Sequence, residues 1–232
     1  MDESTKADLA TGIGKSAEKA LDFIEKLIAG PFMEGTAIFT DKVKFWRFKN
    51  QINIITKARE FLKEKGIETP KKIPIKDLTT LLEYASFEQE DEMQDNWSRL
   101  LANTLDPKNE FDVSHIFSQV LNQLSVNEIW ILQYIFSNSF IMSSDDRQYF
   151  ERHLLIKVSK VPYSTGDILM DNLIRLKLIE EEPPKFKEYE KEQKSYYGYE
   201  EEPRFIIVQE TVSTDKFRLS NFGVELVRQI KQ

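Results

Sequence analysis

Arg147 and His153 are the two residues whose types and spacing most resemble a reactive pair. An arginine followed at this distance by a histidine occurs in helical ribonucleases, where histidine transfers protons and arginine stabilises phosphate charge. The pair therefore predicts a ribonuclease as one alternative function. The opposing interpretation is a surface arginine and a histidine at the end of a strand, because no neighbouring residue supports the pattern.

No other cluster in the sequence fits a catalytic or metal-binding pattern. The absence of cysteine excludes disulfides, thiol nucleophiles and thiolate zinc sites. Leu9 stands where a phosphate-binding loop at Gly12–Ser16 would require glycine. The acidic run Glu88–Asp95 resembles a metal site, but helix starts collect carboxylates and both histidines are distant in the sequence. We therefore expect no metal and no cofactor.

The composition is that of a helix-rich globular protein. Hydrophobic residues make up 41% of the 232 residues and charged residues 31%, with only 8 glycines and 8 prolines. The net charge of −7 argues against nucleic-acid binding by the whole surface. No run reaches the ~18 to 20 apolar residues of a transmembrane helix, and the start lacks the features of a signal peptide. We expect a cytoplasmic protein.

A predicted helix over Thr40–Lys65 positions the largest group of basic side chains. Its apolar residues recur at helical spacing, and Gly66 suits the left-handed residue that ends a helix. Between Asp41 and Lys76 there are eleven lysines and arginines and only four acidic residues. This excess predicts a surface for an acidic partner, with a solvated helix face as the alternative. The candidate partner-binding residues are Lys42, Lys44, Arg47 and Lys49.

Further helices follow, and the starts of two carry recognisable signals. Ser86 with Gln89, and Ser125 with Glu128, have the spacing of a capping box. The helix Val126–Ser137 is apolar on nearly every side, which predicts burial on every side. We expect this helix at the junction of two halves.

After that helix the hydrophobic period changes, and strands are predicted. Tyr163–Leu178 is predicted as a helix with Ile168 among its inward residues. Ile179–Pro203 is charged and contains prolines, which predicts a long loop. A strand at Arg204–Val212, a turn, a second strand and a helix at Asn221–Ile230 follow. This order is typical of a winged helix with an enlarged wing.

The elements together predict a mainly α protein of two domains. The first is an N-terminal helical domain at 1–124, which would act as a scaffold. The second is a C-terminal α+β winged-helix-like domain at 125–232, with a charged wing loop at about 180–203. The second domain would be a sensing or assembly module.

Nucleic-acid binding through the second domain is an alternative function. Its recognition helix would be Thr165–Lys177, in which Asn172, Arg175 and Lys177 are the candidates to contact nucleic acid. Two aspartates in the same helix and a glutamate-rich wing would repel phosphates. A winged helix used for protein contact is therefore favoured.

Two stretches, DKVKFWRFKNQINIITKA (Asp41–Ala58) and EDEMQDNWSRLLANTLDP (Glu90–Pro107), resemble the abortive infection alpha family. Later runs containing WIL and LSNFG extend the resemblance over roughly residues 15–232. Met93–Asp95 and Ser98 depart mildly from the family pattern. The resemblance implies a cytoplasmic bacterial protein of antiphage defence that acts with other components, and it carries over no catalytic residues.

The function that we expect is antiphage defence by protein–protein interaction or sensing, without catalysis. The partner would be another protein or a second copy, because Pro31–Phe39 and Val126–Ser137 are apolar enough for self-association or for internal core. Contact of Pro31–Phe39 with a membrane surface is disfavoured, because acidic residues interrupt the preceding helix.

Overall fold

The computed structural model describes residues 15, 19–20, 22–23, 42–109, 114–139, 147–193 and 204–231. Residues 15, 19, 20, 22 and 23 are helical. The apolar segment Pro31–Phe39 lies outside the described residues, so self-association or membrane contact through it stays a prediction.

The remaining described residues form a mainly helical protein with little strand. The helices are α1 (Lys42–Glu64), α2 (Ile75–Ala85), α3 (Asp91–Leu105), α4 (Ser114–Leu121), α5 (Val126–Asn138), α6 (Arg152–Val158), α7 (Tyr163–Arg175) and α8 (Asn221–Lys231). The strands are β1 (Phe150–Glu151), β2 (Ile179–Glu181), β3 (Lys185–Gln193), β4 (Arg204–Val212) and β5 (Lys216–Leu219).

The chain divides into two compact units. The first unit is Met1–Ile129 with Val224–Gln232, and the second unit is Trp130–Gly223. The division falls inside α5 and inside α8, so each of these helices contributes residues to both units. All the described strands belong to the second unit.

The central helix of the first unit is α1, and it ends as the sequence predicts. Gly66 has a φ of 69°, and the amide of Ile67 donates to the carbonyl of Leu62 at 2.9 Å. The helix packs along α3. The buried apolar side chains of the two helices include Ile52, Ile54, Ile55, Ala58, Leu62, Trp97, Leu100 and Leu101.

One predicted capping box is confirmed and the other is wrong. The amide of Ser125 donates to Glu128 Oε2 at 2.8 Å, and the amide of Glu128 donates to Ser125 Oγ at 3.4 Å. Ser86, in contrast, follows the last residue of α2, and its hydroxyl donates to the carbonyl of Glu83 at 2.6 Å. The predicted box of Ser86 with Gln89 fails because α3 begins only at Asp91.

The helix α5 is not buried on every side, contrary to the prediction. Ile131, Leu132 and Ile135 are buried, whereas Trp130 is only partly covered. The ammonium group of Lys160 lies 4.1 Å from the centre of the Trp130 ring. A cation over an indole ring provides a favourable contact at a position that sequence pattern alone assigns to the core.

The second unit contains a three-stranded antiparallel sheet in the order β1-β5-β2. Phe150 lies opposite Phe217, and Ile179 lies opposite Leu219, and all four side chains are buried. The buried residues Leu155 and Ile156 of α6, and Met170 and Leu173 of α7, complete the apolar interior of this unit.

The long loop predicted at Ile179–Pro203 is wrong at Ile179–Glu181 and Lys185–Gln193, where the chain forms β2 and β3. β3 pairs antiparallel with β4, from Lys185 opposite Val212 to Gln193 opposite Arg204. This two-stranded element is called the β3–β4 ribbon below. Its charged composition suggested a loop, but a ribbon exposed on both faces accommodates charge on both.

Two glycines allow close backbone approach in the second unit. A Cβ on Gly166 in α7 would lie 2.3 Å from Ile156 Cγ2 in α6. A Cβ on Gly223 would lie 2.0 Å from the carbonyl oxygen of Leu178. Next to Gly223, Ser220 caps α8, since its hydroxyl oxygen accepts from the Gly223 amide at 2.9 Å.

We predict that Gly223→Ala lowers the free energy of unfolding by about 1–3 kcal/mol, because the new methyl group collides with a backbone oxygen that cannot rotate away. In an open helix the same change would be stabilising by about 1 kcal/mol. Urea denaturation measures the difference. The matched control is Gly66→Asn, since asparagine tolerates positive φ and nothing lies within 4 Å of a Cβ there. A Gly223→Ala protein as stable as the parent contradicts the close approach.

Candidate functional site

Arg47, a predicted partner-binding residue, is turned toward the end of α2. Its Nε donates to Ser86 Oγ at 3.0 Å, and its guanidinium lies 4.2 Å from the centre of the Phe87 ring. Glu83 Oε1 lies 4.0 Å from the guanidinium. These contacts use the side chain of Arg47 inside the first unit.

Asn50 and Gln94 form a buried amide cluster between α1 and the turn before α3. Asn50 Nδ2 donates to the carbonyls of Ser86 and Glu88 at 3.0 and 2.8 Å. Gln94 Nε2 also donates to the Glu88 carbonyl, at 3.0 Å, and Gln94 Oε1 accepts from Asn53. The amide cluster supplies donors to carbonyls that the turn removes from water.

Lys57, a further basic residue of α1, is paired within the chain. Lys57 Nζ lies 2.7 Å from Asp95 Oδ1. Asp95 belongs to the acidic run Glu88–Asp95, so one charge of that run is balanced by α1. Lys49 is exposed, whereas the side chains of Lys42 and Lys44 lie outside the described residues. The prediction that these lysines bind a partner stays a prediction.

Arg147 and His153 have different surroundings. Arg147 is 6% exposed, and its guanidinium donates to the carbonyl of Leu219 at 2.7 Å and to Asn221 Oδ1. His153 is exposed, and its Nδ1 lies 3.2 Å from Glu151 Oε2. The contacts of Arg147 hold the end of β5 and the start of α8, which is a structural role. Sequence reasoning had no signal for this role, because the acceptors lie more than seventy residues away.

The face that α7 turns to solvent carries Ser164, Ile168, Asp171 and Arg175. Ile168 was predicted to point inward, and this is wrong, since it is 68% exposed. The buried residues are Gly166, Met170 and Leu173, so the buried face is rotated away from Ile168. An apolar side chain therefore lies in the middle of the exposed face.

The charged residues of α7 are largely engaged with protein groups. Arg152, which the sequence analysis did not single out, lies between two carboxylates, 2.7 Å from Asp167 Oδ1 and 2.9 Å from Asp171 Oδ1. Burial lowers the pKa of the Arg152 guanidinium, but its hydrogen bonds and charge attraction to both aspartates outweigh burial and raise the pKa. The two aspartates are four residues apart on one helix and therefore lie on the same face. This spacing is the sequence signal that could have predicted a shared cationic partner.

The candidates for nucleic-acid contact lie near the end of α7. Arg175 donates to Asn172 Oδ1 through Nε and Nη2, at 3.1 and 2.7 Å. Lys177 has a φ of 57°, and its carbonyl accepts from the Ser220 hydroxyl at 2.6 Å. The three residues therefore share one end of the helix, and two of them contact each other.

The β3–β4 ribbon separates its charges between its two faces. Successive residues of a strand point to opposite sides, so Lys185, Lys187 and Lys191 share one face. Glu188 and Glu190 share the other face, where Gln209 Nε2 donates to Glu188 Oε1 at 2.6 Å. These two glutamates therefore lie on one face of the ribbon only.

No group of three or more histidine or acidic side chains with metal-binding geometry occurs among the described residues. Likewise, no helix in the described part of the chain is long and apolar enough to cross a membrane.

We predict that Arg147→Ala lowers the free energy of unfolding by about 1–3 kcal/mol, because the buried Leu219 carbonyl loses a charged donor. His153→Ala is the control, and it should change stability by less than about 0.5 kcal/mol because its side chain is exposed. Urea denaturation of both variants measures this difference. Equal, small effects would contradict the structural role of Arg147.

Comparison with known proteins identifies the family. The family model described as abortive infection alpha matches residues 46–230, which is most of the chain. Neither the curated proteins nor the solved structures gave a match. The matched range includes Arg47, Asn50 and Gln94 of the first unit and the LSNFG run of the second. On this match, the chain belongs to the abortive infection alpha family.

Proposed function

We propose that this protein serves antiphage defence in the bacterial cytoplasm by binding another protein, without catalysing a reaction. The family assignment supports a role in abortive infection. The first unit would act as the scaffold, and the second unit would be the binding module. The observation that carries the proposal is the exposed isoleucine at the centre of the outward face of α7.

The order of the elements in the second unit supports a winged-helix interpretation. From α5 onward the chain forms β1, α6, α7, β2, the β3–β4 ribbon and β5, and the sheet has the order β1-β5-β2. In this interpretation α7 is the recognition helix, and the β3–β4 ribbon between β2 and β5 is the wing. The winged-helix assignment is part of the proposal.

The outward face of α7 is better suited to binding a protein than to binding nucleic acid. A helix that reads DNA presents several cationic or amide side chains to the groove. Here Arg175 is bonded to Asn172, and Arg152 holds Asp167 and Asp171. An apolar side chain flanked by neutralised charges is typical of a protein contact, in which its burial supplies binding free energy.

The non-catalytic part of the proposal rests on the surroundings of the reactive pair. In the ribonuclease pattern, the histidine and the arginine must both reach the phosphate group that reacts. The guanidinium of Arg147 is buried against Leu219 and Asn221, whereas His153 is exposed beside Glu151. Binding of a phosphate by Arg147 would require it to leave the end of β5.

Nucleic-acid binding is the second candidate, and the lysine face of the β3–β4 ribbon favours it. Lys187 and Lys191 are exposed on that face, and cations of this kind attract phosphates. Glu210 lies opposite Lys187, however, and Lys185 lies 3.1 Å from Glu182. These two carboxylates reduce the charge available to phosphate.

We predict that Ile168→Asp abolishes both the phage protection and the capture of the protein partner from infected cells, because a charge replaces the apolar centre of the contact. The measurement is a pull-down from infected and uninfected cells, with mass spectrometry and sequencing of retained nucleic acid. Circular dichroism checks folding, which an exposed position should preserve. Ile75→Asp is the matched control, since Ile75 is also exposed but lies in α2.

The double variant Arg175→Ala, Lys177→Gly tests the alternative. Glycine suits the positive φ at position 177, so this change removes the cation without backbone strain. Salt-sensitive retention of nucleic acid that the double variant loses, with Ile168→Asp unaffected, would overturn the protein-binding proposal. Loss of protection in His153→Ala with intact folding would overturn its non-catalytic part.

A further inference from the structure

The two edges of the β3–β4 ribbon differ sharply in charge. The strand β3, KFKEYEKEQ, is charged at six of its nine positions. The strand β4, RFIIVQETV, is charged at two, and the five residues Phe205–Gln209 between them are uncharged. One edge of the ribbon therefore carries alternating lysine and glutamate, and the other carries a run of β-branched residues.

The edge of β4 that faces away from β3 is unpaired among the described strands. Its residues Ile206 and Ile207 are exposed, and the exposed fraction of Ile207 is 70%. An unpaired edge presents backbone N–H and C=O groups that can form hydrogen bonds with another strand, and charged side chains are a usual protection against such pairing. The edge of β3 has this protection, and the central part of β4 lacks it.

We propose that β4 pairs antiparallel with β4 of a second copy of this chain, about a twofold axis at Ile207. The pairing would join two ribbons into one four-stranded sheet. In this register Ile206 lies opposite Val208 of the second copy, so the uncharged run is paired with itself. Position 204, an arginine, lies opposite Glu210, so the charges at the two ends of the run are complementary.

The corresponding pairing of two β3 strands is unfavourable. With the twofold axis at Tyr189, Lys187 would lie opposite Lys191 and Glu188 opposite Glu190 of the second copy. Like charges directly opposite each other destabilise a strand pair. Stacking the same faces of two ribbons would also bring lysines onto lysines or glutamates onto glutamates. The β4 edge is the part of the ribbon at which a second copy fits.

This dimer is independent of the partner proposed for α7, because it needs only the purified chain. Backbone hydrogen bonds would supply its affinity and the side-chain register its specificity. The self-association expected from Pro31–Phe39 or Val126–Ser137 concerns different segments, so the experiments below address β4 alone.

Disulfide trapping tests the register directly, since the natural chain has no cysteine. In Ile207→Cys the two cysteines meet at the axis, where opposed Cα atoms in an antiparallel pair are about 4.5 to 5.5 Å apart and a disulfide can form. Gln209→Cys is the matched control on the same strand and face. Its two sulfurs would be offset by four residues, or about 13 Å. Under mild oxidation, non-reducing electrophoresis should show a covalent dimer for Ile207→Cys and none for Gln209→Cys.

Sedimentation of the unmodified full chain and two lysine variants provides the second test. Ile207→Lys places two cations together at the axis and should convert the dimer to monomer. Phe186→Lys is the control. Phe186 is 70% exposed, as Ile207 is, and lies on the same face of the ribbon, but it belongs to β3. This control should remain dimeric. A monomeric parent chain, equal dissociation of both lysine variants, or equal crosslinking of both cysteine variants would overturn the proposal.

Discussion

A buried backbone carbonyl needs a hydrogen-bond donor, and both units of this protein supply such donors from side chains. Asn50 and Gln94 donate to the turn between α2 and α3. Asn103 Nδ2 donates to the carbonyl of Gln229 at 2.6 Å, which ties α3 to the C-terminal part of α8 within the first unit. In the second unit, the guanidinium of Arg147 donates to the carbonyl of Leu219. Without these donors the turns and helix ends would carry unsatisfied polar groups, each costing about 1–3 kcal/mol.

Three of these four donors lie in the sequence runs on which the resemblance to the family rests. Asn50, Gln94 and Asn103 belong to the two runs of the first unit. Ser220 and Gly223 of the LSNFG run cap α8 and allow its close approach to Leu178. These residues therefore stabilise turns and a helix end, and they form hydrogen bonds within the chain. The surfaces that we propose for binding lie outside these runs. The face of α7 would bind a protein partner, and the β3–β4 ribbon would bind a second copy of the chain.

Sequence pattern predicted the elements whose signals are local. The helix α1 with its Gly66 ending, the Ser125–Glu128 capping box and the helix α8 follow from spacing and capping chemistry within a few residues. The strand β3 was missed because composition suggested a loop, and its strand character depends on a partner about twenty residues away. The orientation of Ile168 was missed because α7 has apolar residues on two adjacent faces, and only packing against α6 decides between them. The Arg147 contacts depend on residues that are distant in sequence.

Our central proposal is that the exposed face of α7 binds a protein partner. Amide hydrogen exchange can be compared between the purified chain and the chain captured from phage-infected cells. We predict slower exchange across Tyr163–Arg175 in the captured chain, with a stoichiometric protein and no nucleic acid retained. Unchanged exchange in α7, together with retained or cleaved RNA, would contradict it.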